Sequence, residues 1–337
     1  MARVIYWLPR SLRPLASNML LRDPPDHRRL RSLVDQAFLR QSVEALRPRM
    51  EVLADEALDS LAAQARRSPG GIDLVTHFAR PFPLAVICEL LGLPPEDRPN
   101  FTRWAAGFGS ASSLIGIVWG LRGISKLMRY ISTEIQRQAT RPRDGLLAAL
   151  IQAEDAGDRL SEDELLAMIF LILAAGHETT LHQIAGSVLT LLDHPDQLGE
   201  LKADWGIADA ATQELLRFIS FAQVSKPRYA RDNTEFYGQS IRRGEMVFGC
   251  LASANCDPSA FTNPHLLDLH RRANRHIAFG TGIHVCLGAK LARVEIAIAL
   301  ERLFTRHPEI RLAVPRSQIK YLRRPGTRGL AALPVKW

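Results

Sequence analysis

The stretch that decides the fold runs from residue 276 to residue 293 and reads HIAFGTGIHVCLGAKLAR. Glycines at positions 280, 282 and 288 surround one thiol, Cys286, and a helical pattern starts directly after it at Leu287. Glycine permits the positive φ that a tight loop needs and lets a bulky flat group approach the backbone. A thiol just before a helix N-terminus lies at the positive end of the helix dipole, which favours the thiolate. The loop therefore predicts a thiolate that binds a metal from one side.

The spacing in this loop is specific. The pattern Phe279-x-x-Gly282-x-x-x-Cys286-x-Gly288 fixes four positions. Chance produces it on the order of once per thousand chains of this length. The alternative is a buried structural cysteine, which is the usual state of a lone free cysteine.

Composition sets the class of protein. The chain has 337 residues, of which 47% are hydrophobic and 23% charged, as in a soluble globular protein of one to three domains. Its net charge of +8 suits an acidic protein partner, an anionic cofactor or nucleic acid, without choosing among them. Cysteines occur only at positions 88, 250, 256 and 286, which argues against a disulfide framework and fits a reducing, cytoplasmic compartment. No continuous apolar run reaches the roughly 18 residues that span a membrane.

Hydrophobic periodicity is mostly helical. Ser161 and Glu164 form a capping box that opens a long helix to about Leu192. Short strands and turns are predicted between residues 224 and 247, followed by a helix over Leu287 to Arg306. The order predicts a mainly α fold with a small β part (α+β).

The long helix carries a second candidate segment, residues 174–180, which reads AAGHETT. Gly176 costs a helix interior roughly 1 kcal/mol relative to alanine. The Thr179 hydroxyl is expected to donate to the carbonyl of Ala175 and loosen this turn. An acid, Glu178, beside a hydroxyl then suggests a proton relay. The alternative is a packing glycine with two surface threonines.

A third segment is Glu214-Leu215-Leu216-Arg217. Residues three apart share a helix face, so Glu214 and Arg217 are expected to form an ion pair. A Glu-x-x-Arg occurs by chance about once in a chain of this length, so the motif taken alone favours a solvated surface pair.

Together the three segments resemble the cytochrome P450 family, of the soluble bacterial type. Four further segments resemble parts of that family. Asp23 to Arg31 is similar to the family's helix at the haem edge, and Pro227 to Ala230 is similar to its propionate-binding strand. Ala254 to Pro258 and Arg271 to Asn274 are similar to the region that precedes its haem loop. The resemblance covers about Ser17 to Trp337 and implies a cytochrome P450-like fold.

The resemblance also implies roles for named residues. Cys286 would ligate the iron of haem b, Glu178 and Thr179 would deliver protons, and Glu214, Arg217 and Arg271 (or Arg272) would hold the proximal side. The residues implied for haem binding are His27, Arg31, Arg228, His284, Phe279, Gly280, Gly288, Ala175 and Gly176. Those implied for the substrate pocket are Ala174, Phe221 and Val224.

The implied reaction inserts one oxygen atom of O2 into a hydrophobic small molecule. The sequence holds no flavin or iron–sulfur motif, so electrons are expected from an external ferredoxin. Its contacts are expected among Lys290, Arg293, Arg28 and Arg29. Neither a nucleic-acid partner nor a membrane span is expected.

One departure from the family concerns the N-terminus. Only 22 residues precede Asp23, so the family's N-terminal β-sheet and first helices are expected to be missing. Residues 1–22 would then be a remnant of the loop before the haem-edge helix, and residues 23–337 the haem-thiolate monooxygenase domain. Two alternatives stay open: a truncated, catalytically impaired haem-binding remnant, and a basic helical binding protein without haem.

Overall fold

Helices dominate the part of the chain that the computed structural model describes, which is residues 10–40, 43–105, 114–155 and 157–337. The α-helices there are α1 (Asp26–Arg40), α2 (Val43–Ala65), α3 (Pro81–Leu91), α4 (Arg98–Ala105), α5 (Leu114–Thr140), α6 (Leu146–Ile151), α7 (Glu162–Asp193), α8 (Pro195–Ala203), α9 (Ala208–Ile219), α10 (Leu251–Ala254) and α11 (Ala289–Arg306).

The strands are short, and all their pairings are antiparallel. They are β1 (Ile72–Asp73), β2 (Glu154–Asp155), β3 (Asp158–Arg159), β4 (Arg228–Tyr229), β5 (Thr234–Phe236), β6 (Gln239–Ile241), β7 (Met246–Val247), β8 (Arg311–Leu312) and β9 (Pro334–Lys336). One sheet has the order β1-β9-β8, and β2-β3, β4-β7 and β5-β6 form pairs. This matches the predicted mainly α fold with a small β part.

The contacts divide the chain into two units. The first unit contains Met1–Ala62, Thr76–Leu181 and Lys290–Glu295, and the second contains Ala63–Val75, His182–Ala289 and Ile296–Trp337. The boundary predicted at residues 22 and 23 stays a prediction, and residues 1–9 of the predicted remnant lie outside the described residues. Residues Arg10–Ser17 and Met19–Leu21 of that segment form two 3₁₀ helices.

The first unit is a helical assembly around α3. This helix is apolar on nearly all sides, and its side chains from Phe82 to Leu91 are mostly buried. It ends at Gly92, whose φ of +70° is left-handed and whose missing side chain leaves room for the Asp144 carbonyl, 2.5 Å from where a Cβ would stand. Helices α4 and α6 both pack on α3, and α6 also packs on α1 and α5.

Helix α7 begins at the predicted capping box. The amide of Glu164 donates to Ser161 Oγ (3.3 Å) and the amide of Ser161 donates to Glu164 Oε2 (2.9 Å). Within the described residues it is the one helix long and apolar enough to cross a membrane, and 56% of its most apolar window is buried inside the protein. A core helix of a globular protein meets the same criterion.

The second unit carries all of the strands except β2 and β3, and the cysteine loop (residues 276–288). Strands β4 to β7 lie between 228 and 247, inside the range predicted for strands. The predicted helix after the loop begins at Ala289 rather than Leu287, because Gly288 occupies its N-cap position. The loop thus lies between the segment that follows α10 and the N-terminus of α11.

Candidate functional site

The cysteine loop has a defined backbone structure. Gly282–His284 form one 3₁₀ turn, which the amide of Val285 closes by donating to the carbonyl of Gly282 (3.0 Å). The amide of Cys286 donates to the carbonyl of Phe279 (2.9 Å) and closes the loop on itself. The Cys286 thiol is exposed, so it can bind a group from outside the loop.

Two of the loop glycines have backbone conformations that favour glycine. Gly280 has a φ of +71° and Gly282 a φ of +72°. Gly288 has an ordinary φ of −84°. A Cβ built at any of the three would meet nothing within 4 Å, so this face of the loop is open.

Glu214 and Arg217 form the ion pair that their spacing predicts, and both side chains are fully buried on α9. Arg217 Nε donates to Glu214 Oε2 (2.7 Å) and Arg217 Nη2 donates to Glu214 Oε1 (2.7 Å), which makes the pair bidentate. Arg217 Nη1 also donates to the carbonyls of Asn255 and Pro264, both at 2.8 Å. The alternative of a solvated surface pair is wrong, because burial and three carbonyl acceptors, the third that of Leu266 at 3.4 Å, hold this arginine in place.

Arg271, and not Arg272, joins this pair. Arg271 Nε donates to Glu214 Oε2 (3.0 Å), whereas Arg272 is exposed. Sequence reasoning gave no role to Asn274, whose Nδ2 donates to the same Oε2 (3.0 Å). Only its place in the segment 271–274 pointed to it, since a lone asparagine carries no periodic signal.

The segment of residues 174–180 on helix α7 has an exposed face. Thr179 Oγ1 donates to the carbonyl of Ala175 (2.9 Å), as predicted, and both residues are exposed although they lie in the middle of the helix. Thr180 makes the same type of bond to Gly176 (3.0 Å) but is buried, so only one of the two threonines is a surface residue.

Gly176 has a packing role in the structure. A Cβ at this position would lie 3.0 Å from Cδ1 of Ile87 on α3, so the glycine allows the two helices to approach. This accounts for the mid-helix glycine without a ligand, and its role in haem binding stays a prediction.

His177 and Glu178 differ in burial. His177 is buried, and its Nδ1 lies 3.0 Å from the carbonyl of Leu173, so that nitrogen carries the hydrogen. Burial lowers the pKa of His177, so the ring is neutral near pH 7. Glu178 is only half-buried and is the acid of this segment that solvent reaches.

The residues predicted to bind propionates occupy different environments. His27 is buried on α1, and Arg31 one turn later donates through Nε to both carboxylate oxygens of Asp35 (2.9 and 3.0 Å). Arg228 on β4 is exposed and therefore open to a ligand. His284 ends the 3₁₀ turn of the cysteine loop and is half-buried.

The remaining predicted contacts are apolar. Phe279 is half-buried, and its ring lies 6.1 Å from that of His276. The Phe221 ring stacks on His182 at 5.2 Å. Val224 lies against Gly326, with its Cγ2 2.8 Å from where a Cβ would stand. Ala174 is half-buried on α7.

The second unit thus brings Glu214, Arg217 and Arg271 together in direct contact. It also closes the cysteine loop around Phe279 and Cys286. Within the described ranges, His, Cys, Asp and Glu residues form no group of three or more that could hold a metal. Cys286 is a single candidate metal ligand, and the backbone hydrogen bonds of its loop hold it in place.

Comparisons with known proteins agree on one family. A family model described as "Cytochrome P450" matches residues 123–205 and 203–308. The chain is 39% identical over 326 residues to "Polyketide biosynthesis cytochrome P450 PksS" of Bacillus subtilis (strain 168). That alignment covers 95% of this chain and 78% of the relative. It is 41% identical over 318 residues to "Vitamin D(3) 25-hydroxylase" of Pseudonocardia autotrophica. This second alignment covers 94% of this chain and 77% of the relative.

The fold agrees as well. The solved structure of the PksS cytochrome P450 of the Bacillus subtilis 168 bacillaene polyketide synthase superposes with a TM-score of 0.90 at 38% identity. The match covers 98% of this chain and 83% of that one.

Proposed function

The chain belongs to the cytochrome P450 family, and on that premise we propose that Cys286 would hold its haem iron through the thiolate. The protein is a P450 monooxygenase of the bacterial type, and its cofactor is haem b. When bound, a haem with a thiolate ligand supplies the activation of O2, because the thiolate pushes electron density that favours O–O cleavage, a property established for this family. The observation that carries the assignment is the exposed thiol of Cys286 in a closed, glycine-containing loop at the N-terminus of α11.

The loop residues fit such a flat group. Ile283 and Val285, which both precede the thiol in sequence, are exposed apolar side chains that a porphyrin would cover. The Cβ positions of Gly280 and Gly288 point into open space, where a side chain would compete with the ligand. We assign these two glycines, with Phe279, to the haem contact.

Four cationic or donor side chains are assigned to the two haem carboxylates. Arg228 is exposed and can bind a carboxylate through two parallel hydrogen bonds. Arg31 is half-buried on α1, and its guanidinium carries five N–H donors, of which Nε donates to Asp35. His27 and His284 complete the set.

Thr179 and Glu178 are assigned to proton delivery. The hydrogen of Thr179 Oγ1 is held by the Ala175 carbonyl, so the lone pairs of this exposed oxygen are free to accept a hydrogen bond. Thr179 Oγ1 can therefore orient a water molecule at the open face of α7. The half-buried carboxylate of Glu178 can pass protons from solvent to that water.

Electrons are proposed to come from a ferredoxin. The net charge of +8 favours an acidic partner. Lys290 is exposed close to Cys286 in sequence and pairs only loosely with Glu44, at 3.5 Å. Arg29 pairs with Asp158 and Glu164, so it contributes less free charge to such a surface than the exposed Arg28.

The proposed substrate is a hydrophobic small molecule that is hydroxylated. The small or apolar side chains of Ala174, Phe221 and Val224 support this class. One relative is named for polyketide biosynthesis and another for hydroxylation of vitamin D(3). Such an enzyme would act in the cytoplasm, where its free cysteines stay reduced.

The experiment that tests the ligand is the absorption spectrum of the reduced protein with carbon monoxide. A strongly red-shifted Soret band is expected, and Cys286→Ala should abolish it while the matched control Cys250→Ala, at another exposed cysteine, keeps it. A wild-type protein that binds haem without this band would overturn the proposal.

The proton relay has its own test. Thr179→Ala should keep the red-shifted band but divert reduced oxygen to peroxide instead of product. Equal coupling in Thr179→Ala and wild type would refute the relay. A red-shifted band without oxidation of any apolar substrate would favour the alternative of a catalytically impaired haem-binding protein.

A further inference from the structure

Asn255 is a fully buried polar residue that the proposed function leaves without a role. It follows α10, and its amide continues that helix by donating to the carbonyl of Leu251 (2.9 Å). A buried amide side chain persists only where its donors and its acceptor find partners. The partners of Asn255 therefore indicate what it holds in place.

The side chain of Asn255 joins two parts of the second unit. Its Oδ1 accepts a hydrogen bond from the amide of Ile277 (2.8 Å), at the start of the cysteine loop. Its Nδ2 donates to Ser220 Oγ (2.9 Å), directly after α9. Its backbone carbonyl accepts from Arg217 Nη1 (2.8 Å), the arginine of the buried ion pair.

The orientation of this side-chain amide is fixed by its partners. Ser220 Oγ donates its single hydrogen to the carbonyl of Arg217 (2.7 Å), so it can only accept from Asn255. The amide of Ile277 can only donate. The oxygen of Asn255 must therefore face Ile277, since the reversed orientation would bring donor against donor at Ile277 and acceptor against acceptor at Ser220.

The hydrogen bond to Ile277 is transmitted to the thiol through two backbone bonds. The carbonyl of Ile277 accepts from the amide of Gly280 (2.9 Å), which closes a turn. That turn sets the carbonyl of Phe279, which accepts from the amide of Cys286 (2.9 Å). An unbroken series of hydrogen bonds thus runs from Arg217 through Asn255 to Cys286.

We propose that Asn255 is a positioning residue, which anchors the start of the cysteine loop to the Glu214–Arg217 pair and thereby holds Cys286 in place to ligate iron. The proposal rests on the proposed function of Cys286. A second connection exists one residue earlier, where His276 Nε2 meets Gln213 Oε1 (2.9 Å). That contact joins two half-buried side chains, so solvent can replace it, whereas water cannot reach Asn255.

The test compares three variants of the haem-loaded protein. Asn255→Ala removes the acceptor for Ile277, Asn255→Asp keeps an oxygen there, and Ser220→Ala removes only the other partner of the side chain. In mild urea, where far-UV circular dichroism stays native, Asn255→Ala should lose the red-shifted carbon monoxide band about tenfold faster than wild type, the factor for one lost hydrogen bond. Asn255→Asp, whose carboxyl the burial of this position favours in the neutral form that donates to Ser220 as the amide does, and Ser220→Ala should keep the wild-type rate.

Hydrogen–deuterium exchange gives a readout that does not depend on thiolate ligation. Peptides covering residues 276–288 should exchange about tenfold faster in Asn255→Ala than in Ser220→Ala, because one anchoring hydrogen bond is missing. Equal exchange and equal band loss in these two variants would overturn the proposal. Should Asn255→Ala fail to fold, Asn255→Ser keeps a hydroxyl for Ser220 but is too short to reach Ile277, and gives the same comparison.

The two readouts separate this inference from the proposed function. If the wild type lacks the red-shifted band, the role of Cys286 is wrong, and the exchange data still decide whether Asn255 anchors the loop. If the wild type shows the band and Gln213→Leu loses it faster than Asn255→Ala does, the anchor is the His276 contact and the inference about Asn255 is wrong.

Discussion

Replacing Glu214 by glutamine should destabilise the protein strongly, because this carboxylate is the acceptor for a cluster of buried donors. Oε2 accepts from Arg217 Nε (2.7 Å), Arg271 Nε (3.0 Å) and Asn274 Nδ2 (3.0 Å). Oε1 accepts from Arg217 Nη2 (2.7 Å) and the amide of Asp268 (3.2 Å). A glutamine amide has one oxygen, so its NH2 group must face at least two of these donors in either orientation.

The magnitude follows from burial. Glu214 and Arg217 both have side chains that are 0% exposed, so the positive charge of Arg217 would lose its buried counter-ion with no access to water. Breaking a buried ion pair by removing one partner costs about 3–5 kcal/mol. We expect the free energy of unfolding of Glu214→Gln to fall by that amount, a large part of the roughly 5–15 kcal/mol that stabilises a typical domain.

Urea unfolding followed by far-UV circular dichroism measures this loss. The matched control is Glu245→Gln, whose carboxylate is 50% exposed and 3.8 Å from an Arg242 that is 86% exposed. That exposed pair contributes about 0–1 kcal/mol, so the control should unfold almost as the wild type does. A loss below about 1 kcal/mol in Glu214→Gln, equal to that of the control, would refute the reasoning from burial.

The remaining predictions concern the thiol, a buried acid and the loop glycines. Haem should protect the Cys286 thiol from iodoacetamide, while the exposed Cys250 should react at the same rate with and without haem. Peptide mass spectrometry measures both labelling rates. Labelling of Cys286 at the same rate with and without haem would contradict ligation. Burial raises the pKa of Glu295 well above 4.5, so wild-type stability should fall as pH rises from about 4.5 toward the raised pKa, by at most about 1.4 kcal/mol per pH unit. Glu295→Gln should remove that slope in thermal unfolding between pH 5 and 8, and an unchanged slope would show that another group titrates. Gly282→Ala, at a φ of +72°, should lower the free energy of unfolding of the haem-free protein by about 1–2 kcal/mol. Gly288→Ala, at a φ of −84°, should lower it by less than about 0.5 kcal/mol. Equal losses of the two variants in urea unfolding would show that the positive φ is not the cause.

The elements that the sequence predicts well are those formed by hydrogen bonds between residues close in sequence. The capping box fixed the start of α7, because Ser161 and Glu164 satisfy each other's amides without help from the rest of the chain. The back-bond from Thr179 to Ala175 is equally local. The start of α11 was predicted two residues early, since a glycine N-cap gives a weaker signal than a serine or aspartate would.

Partners distant in sequence could not be read in the same way. The spacing of Glu214 and Arg217 taken alone favoured a solvated surface pair, and only the packing around α9 shows that both side chains are buried. The same packing brings in Arg271 rather than Arg272, and Asn274, which no pattern singled out. Gly176 also gains its packing explanation only from Ile87 on α3.

The sequence by itself determined the family and the cysteine loop, because the glycines, the single cysteine and the helix start that follows are contiguous and act through backbone conformation. Only the tertiary structure decided how that loop is held. The acceptor for the Ile277 amide is Asn255, and the acceptor for Nε of Arg271 is Glu214, each far away along the chain. Such hydrogen bonds depend on burial and on distances between elements, which sequence spacing does not encode.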